Sequence, residues 1–242
     1  MNRPDFVWCD AHGVGRNVLV LFRRKFKLTA PPKSAKLNLF ADTRYRLRVN
    51  GHVAAYGPAR FTPKAPQYDT VDLAPFLVKG RNVVTVEVNH KGASSFESLP
   101  SIGGFVAWGM AGKGRSGINF TTPGAWKARR IDAIDAWSPP FSFAQGPVEV
   151  ADLRDLPAEW VEAEFDDREW NSPIPLANKQ AWGPLTPRMI PALTLHERLP
   201  ECTLMLAALD AREYRIGCRI AGEVSGPGQK KPRACYATHL FS

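Results

Sequence analysis

Four carboxylates lie close together in one short stretch of the chain: Glu162, Glu164, Asp166 and Asp167. Two neighbouring carboxylates can hydrolyse a glycosidic bond, one as the general acid and the other as the base or nucleophile. A structural role competes with this chemistry, because Asp166 and Asp167 precede Trp170 in a pattern typical of a turn that leads into a strand. We favour the structural role, so the sequence predicts no catalytic residue in this cluster.

Other reactive side chains lack the spacing that a metal site or a nucleophile requires. No histidines have HxxxH or HExxH spacing, no cysteines form a CxxC pair, and there is no G-x-S-x-G motif. The glycine-rich stretch 112–117 matches no nucleotide-binding fingerprint, and a hairpin tip explains it better. We therefore expect no metal ion and no cofactor. The residues considered are His12, His52, His90, His196, His239, Cys9, Cys202, Cys218 and Cys235.

Aromatic side chains offer a different chemistry, since a sugar ring can stack its C–H face on an exposed indole. Among the seven tryptophans, Trp108 on a short predicted strand and Trp126 near a Pro-Gly turn are candidate platforms. Arg60 is a candidate donor to sugar hydroxyl groups. The alternatives are that the tryptophans fill the core and that Arg60 pairs with Asp69 or Asp72.

Charge and composition narrow the class of protein. The 242 residues carry a net charge of +9, which permits attraction to anions. The basic residues are scattered, however, without a run of five or six like charges, so nucleic-acid binding is not the expected function. The N-terminus lacks the apolar run of a signal peptide, and no stretch is long and apolar enough to span a membrane. We expect a cytoplasmic protein with reduced thiols and no membrane contact.

Short alternating segments dominate residues 18–131. Val84, Val86 and Val88 alternate with polar residues, as in a strand with one buried face. In the segment 44–49 three arginines alternate with apolar residues, and we interpret the arginines as the solvent-facing side of a strand. Asn50-Gly51 is a strong signal for a two-residue hairpin turn. With 21 prolines and 19 glycines, the sequence predicts an all-β antiparallel sandwich.

The later part of the chain differs in composition and shows little alternation of apolar and polar residues. Residues 1–137 are expected to form the sandwich, and residues 138–200, rich in proline, tryptophan and acid, to form a linker or the start of a second, incomplete β-module. The stretch "CTLMLAALDAREYRI" in the tail 201–242 is compatible with one helix, followed by a disordered end.

Several of these segments, in this order along the chain, resemble part of a known enzyme family. "RRKFKL", "YRLRVNG…GPAR", "YDTVDLAPFLVKGRNVVTVEVNH", "AWKAR" and "FDDREW" are similar to the N-terminal region of bacterial α-L-rhamnosidases of glycoside hydrolase family 78. The resemblance runs from about residue 8 to about residue 197. It implies a galactose-binding-like jelly roll, in which "FDDREW" would be the first strand of a second sandwich.

The same resemblance implies a non-catalytic accessory region. In such enzymes the catalytic carboxylates lie on a later (α/α)₆ barrel, so we expect this chain to be inactive alone. We hypothesise that it is a truncated or frame-shifted homologue. Its expected partners are rhamnose-containing glycans or a catalytic glycosidase domain. Two alternatives stay open: a free-standing carbohydrate-binding module and, less favoured, a basic nucleic-acid-binding β-domain.

Overall fold

The structure is a computed structural model that describes residues 4–96, 98–114, 117–142, 144–194, 202–209 and 234–240. The chain forms two compact units, residues 1–193 and residues 194–242. The predicted boundary at residue 137 falls inside the first unit, and a division into separate modules at that point stays a prediction. Among the described residues no helix has the length and apolarity needed to cross a membrane.

Strands make up almost all of the regular structure. Among the described residues, the single-turn 3₁₀ helices Ala74–Phe76 and Leu153–Asp155 interrupt them. The strands are β1 Val7–Trp8, β2 Val18–Leu28, β3 Ala35–Asp42, β4 Arg44–Val49, β5 His52–Gly57, β6 Gln67–Asp72, β7 Gly80–His90, β8 Gly104–Ala111, β9 Ile118–Asn119, β10 Lys127–Ile131, β11 Ile174–Pro175, β12 Thr186–Pro187, β13 Cys202–Leu209 and β14 Ala234–Leu240.

The first unit contains two sheets that pack face to face. One has the strand order β10-β2-β7-β4-β5 and is antiparallel throughout. The other has the order β11-β1-β8-β3-β6-β12, with β9 added beside β8, and its one parallel pair is β6 with β12. This architecture confirms the predicted all-β jelly-roll sandwich.

The core lies between the two sheets and follows the period-two pattern of the strands. Val84, Val86 and Val88 of β7 are fully buried, as the alternation predicts. Across the core, the ring of Phe22 on β2 lies 4.6 Å from that of Phe105 on β8. Apolar residues that alternate along both sheets therefore meet in one layer, which is the main source of stability for such a fold.

The predicted hairpin turn joins β4 and β5. Asn50 and Gly51 both have positive φ, 49° and 81°, as a type I′ turn requires. The Asn50 amide also ties the turn to the neighbouring strand and helix: its oxygen accepts the Val83 backbone N–H at 2.9 Å, and its nitrogen donates to the Phe76 carbonyl at 2.9 Å. The hairpin prediction is confirmed.

The alternating arginines of β4 lie on the outer side of the five-stranded sheet, while their apolar neighbours are buried. Arg48 donates to Glu87 at 3.2 Å, and the Arg46 guanidinium lies 5.3 Å from the centre of the Tyr56 ring. Their contacts within the sheet agree with the structural interpretation of the row.

Residues 156–170 cover the outer face of the same sheet. A second apolar cluster forms there, in which Leu19 and Leu21 of β2 meet Trp160 and Trp170. The "FDDREW" stretch forms turns on this surface and not the strand that the family resemblance implied. The reason is the contact it makes: Asp167 bonds the buried Arg23 of β2, which holds the stretch across the sheet instead of along an edge.

Trp182 covers part of the outer face of the other sheet. Its ring stacks on Phe6 with 4.4 Å between centroids, and its Nε1 donates to Asp42 Oδ2 at 2.9 Å. Gly104 of β8 lies directly beneath, because a Cβ there would come within 2.3 Å of the indole. The segment after residue 170 therefore closes the second face of the sandwich as the segment before it closes the first.

The second unit contains an antiparallel pair, in which β13 lies beside β14. Residues 202–209, which we predicted to begin a helix, therefore form a strand. A short apolar run is compatible with either state, and pairing with a distant partner decides between them. The remainder of the predicted helix lies outside the described residues.

Candidate functional site: a groove beside Trp108

A groove of about 950 Å³ runs along the outer face of the seven-stranded sheet. Its floor comes from β3 and β8, where Lys36 faces Met110 and Asn38 faces Trp108 in the strand register. These four residues share one face because strand residues alternate in direction. Two flanking segments, 32–34 and 112–113, add the walls. The pleat and the two turns thus place Trp108 in a concave surface.

Trp108 is half-buried, and one side of its ring is supported. Its indole meets Tyr68 of β6 at 4.8 Å in an edge-to-face arrangement, a favourable geometry for two aromatic rings. Beside it, the Asn38 side-chain oxygen accepts the Thr70 hydroxyl at 2.7 Å. That bond leaves the two Asn38 amide N–H groups as donors for a ligand. A sugar has an apolar C–H face and hydroxyl groups around its ring. The Trp108 indole, fixed by Tyr68, can stack on that face, and the Asn38 amide can donate to a hydroxyl group.

The groove is basic. Lys33, Lys36 and Lys113 are exposed, and among the described residues that line the groove there is neither an aspartate nor a glutamate. The sequence interpretation missed these lysines and Asn38. The available signal was the alternation of Lys36 and Asn38 along "AKLNLF", which places both on the polar face of β3.

Gly109 sets the spacing of the two floor strands. It has φ of 142°, and a Cβ at this position would lie 2.1 Å from the Lys36 carbonyl oxygen. Only a glycine allows both this backbone conformation and this approach.

We expect Gly109→Ala to lower the free energy of unfolding by about 1 to 3 kcal/mol, because the new methyl group meets backbone that cannot move aside. Chemical denaturation measures this loss. Gly146→Ala is the matched control, since a Cβ there has open space. Equal stability of the two variants would show that β3 and β8 are not held this close.

The other predicted sugar-binding residues lie elsewhere. Trp126 is only 1% exposed, and its Nε1 donates to the Phe120 carbonyl at 2.8 Å. The prediction of an exposed platform at Trp126 is therefore wrong: the indole packs against Phe105 in the core. Arg60 is exposed in the loop after β5 and does not line the Trp108 groove. Its role in sugar binding stays a prediction.

Asp69, which we considered as a partner for Arg60, is engaged by two other side chains. Tyr45 donates to its Oδ2 at 2.5 Å, and Arg188 donates to its Oδ1 at 2.8 Å. Burial, together with the Asp69 carboxylate, raises the pKa of Tyr45 well above its usual value. This cluster joins β4, β6 and the segment after β12 within the first unit.

The clustered carboxylates of residues 162–167 do not converge on one cleft. Three of them form ion pairs with separate arginines, which is consistent with a structural role. The pairing with Arg168 lowers the pKa of Asp166 to about 2. The pairs are Asp167 with Arg23, Asp166 with Arg168, and Glu164 with Arg81.

The described surface also carries an exposed apolar segment that sequence reasoning did not single out. Trp137 is 81% exposed and Phe141 is 76% exposed. Backbone bonds fold this segment back on itself, from Val148 N to Pro139 O and from Asp135 N to Val150 O, at 2.9 and 2.8 Å. The segment has few alternating positions, so the sequence contained no periodic signal for it.

Comparison with solved structures places this architecture among known proteins. A family GH78 rhamnosidase of Bacillus sp. GL1 is similar over 88% of this chain, with 34% sequence identity and a TM-score of 0.74. An α-L-rhamnosidase from Dictyoglumus thermophilum matches over 86% of this chain, with 16% identity and a TM-score of 0.61. The apo Pleurotus ostreatus lectin matches over 76%, with 18% identity and a TM-score of 0.50. The last two likenesses concern the fold alone.

The shared region is a minor part of these enzymes. The chain spans 23% of each of the two rhamnosidases and 45% of the lectin. No protein-family model and no curated protein matches the chain. The similarity to the Bacillus enzyme agrees with the sequence motifs and confirms the resemblance of this chain to part of a glycoside hydrolase family 78 α-L-rhamnosidase.

Proposed function

We propose that the chain is a non-catalytic, carbohydrate-binding accessory region of an α-L-rhamnosidase-type glycoside hydrolase, and that the Trp108 groove is its sugar site. The observation that carries the proposal is the supported, half-buried indole beside Asn38 in a groove of about 950 Å³. Concave sites with an aromatic surface and a few polar donors are typical of small-ligand recognition.

The family resemblance supports the accessory role. The chain matches less than a quarter of the length of either rhamnosidase, and the family implies that bond cleavage occurs on a separate barrel. We therefore expect no hydrolysis of an aryl α-L-rhamnoside by the purified chain, as followed by release of the chromophore. Turnover that persists through further purification would overturn the accessory assignment.

The exposed apolar segment favours an accessory region over the free-standing module. Trp137 and Phe141 expose most of their rings on a segment that backbone bonds hold in place. Exposed apolar patches of this kind usually mark surfaces that another domain or protein covers. A catalytic glycosidase domain is the partner that the family resemblance suggests.

We expect Trp108→Ala to weaken binding of a rhamnose-containing oligosaccharide at least about tenfold, because the residue supplies the only indole in the groove among the described residues. Isothermal titration calorimetry measures the affinity. Trp137→Ala is the matched control, since it removes an exposed indole outside the groove, and we expect it to bind as the unaltered chain does. Loss of binding in Trp137→Ala with none in Trp108→Ala would place the sugar site elsewhere.

A further inference from the structure

We propose that the Trp108 groove selects acidic glycans, in which a uronate carboxylate lies next to the sugar that stacks on the indole. This inference rests on the proposed sugar-binding function and adds the chemical class of the ligand. It comes from the charge of the groove, and from the absence of any neutralising group among its described lining residues.

The groove presents three cations: Lys33, Lys36 and Lys113 line it, and all three are exposed. Within the described part of the chain none of them forms an ion pair. Asp72 is the acid opposite Lys36 in the register of β3 and β6. Its Oδ1, however, accepts the backbone N–H groups of Ala35 and Ala74, at 3.3 and 3.0 Å. One oxygen of this carboxylate is thus engaged by the backbone, and Asp72 forms no ion pair with Lys36, although its negative charge lies on the neighbouring strand.

Lys27, Arg60, Lys64, Lys79 and Arg129 are also exposed and form no ion pair with a described residue, so the groove is distinguished by having three such cations in one lining. Several other exposed cations of the first unit do have acidic partners. These exposed pairs are Lys179 with Asp5, Arg130 with Asp132, Arg154 with Asp152, and Arg168 with Asp166. Three unpaired cations around one indole therefore form a concentrated positive surface beside a stacking platform.

Exposed lysine–carboxylate pairs are strong enough to make the groove prefer one glycan over another, but too weak to produce tight binding by themselves. An ammonium group is a compact charge with three donors, and a carboxylate is ionised at neutral pH. Each exposed pair of this kind is weak, and we expect two or three of them together to change affinity about five- to tenfold. The preference must also weaken in salt, because screening shortens the reach of exposed charges.

A single-stranded nucleic acid is the other polyanion that combines stacking with lysines. Such sites usually stack successive bases on several aromatic rings. Among the residues described in the groove, Trp108 is the one aromatic lining residue, because Tyr68, which meets its ring edge-to-face, does not line the groove. One platform surrounded by cations suits a single stacked sugar with a neighbouring carboxylate better than a run of bases.

Calorimetric titration of the full chain with three probes tests the inference. The probes are an oligosaccharide of alternating rhamnose and uronate, the same oligosaccharide with its carboxyl groups reduced to alcohols, and oligothymidylate. We expect the acidic oligosaccharide to bind about five- to tenfold tighter than its neutral counterpart at about 20 mM salt. The difference should disappear at about 0.5 M salt.

Variants separate the groove from the general positive charge of the chain. The double variant Lys36→Gln, Lys113→Gln should bind both oligosaccharides with the affinity of the neutral one. Lys27→Gln, near the end of β2 in the other sheet, should retain the preference. Equal binding of the acidic and neutral oligosaccharides would overturn the acidic selection while leaving the proposed sugar site intact. Binding of neither would overturn both proposals, and tighter binding of oligothymidylate would identify the groove as a nucleic-acid site.

Discussion

Asp167→Ala is expected to lower the free energy of unfolding by about 3 to 5 kcal/mol, because it leaves a buried guanidinium without its counter-ion. Arg23 is fully buried, and its Nε donates to Asp167 Oδ2 at 3.1 Å. The guanidinium also lies over the rings of Phe165 and Trp170, at 4.9 and 5.7 Å. Burial already lowers the pKa of Arg23 despite the nearby carboxylate, which shows how poorly this environment supports an isolated cation.

Chemical denaturation of three variants distinguishes the lost pair from lost packing. Asp166→Ala, at the neighbouring exposed carboxylate, should leave stability almost unchanged, because a surface pair contributes little. The double variant Arg23→Met, Asp167→Leu should recover much of the loss, since apolar residues can replace a buried pair. An Asp167→Ala variant as stable as the unaltered chain would mean that residues 156–170 are not anchored on the sheet by this contact.

Trp182→Ala should destabilise the first unit by about 3 to 5 kcal/mol, the usual cost of deleting a large buried aromatic side chain. The residue is 8% exposed, stacks on Phe6 and meets the edge of Phe40, with 6.2 Å between centroids. Its removal would open the outer face of the seven-stranded sheet above Gly104. Thermal and chemical denaturation both report the loss.

Trp182→Phe separates the hydrogen bond from the packing. Phenylalanine keeps most of the apolar contact but removes the donor to the buried Asp42, so we expect a loss of about 1 to 3 kcal/mol. Asp42 then retains the Thr43 hydroxyl, which donates to its Oδ1 at 3.0 Å. Trp137→Ala is the control for removal of an exposed indole. If Trp182→Ala were no less stable than Trp137→Ala, the segment after residue 170 would not close this face.

Much of the fold was predictable because its signals are local. The strand β7 is visible in the alternation of Val84, Val86 and Val88, and the pleat imposes that period on any half-buried strand. Asn50-Gly51 marks the hairpin between β4 and β5, because few other pairs tolerate two positive φ values. The family motifs added the jelly-roll topology, although one of them, "FDDREW", forms turns where the resemblance implied a strand.

The site was predictable only in part. Trp108 could be named as a platform from its place on a short predicted strand, yet Trp126, near a Pro-Gly turn, was an equal candidate. Burial separates them, and burial depends on what packs above each ring. The lysines of the groove come from β3 and from the turns on either side of the floor strands, so no spacing in the sequence links them. Residues 202–209 show the same limit, because a distant partner strand made them a strand.

Taken alone, the sequence determined the strand periodicity, the hairpin at Asn50-Gly51 and the family to which the motifs point. Each of these depends on neighbouring residues or on a pattern read in order along the chain. Only the tertiary structure decided which of the two candidate tryptophans is accessible, that Asp167 pairs with the distant Arg23, and that three lysines line one groove with Trp108. These properties depend on distances between residues far apart in the chain, and such distances exist only once the two sheets and their covering segments have packed together.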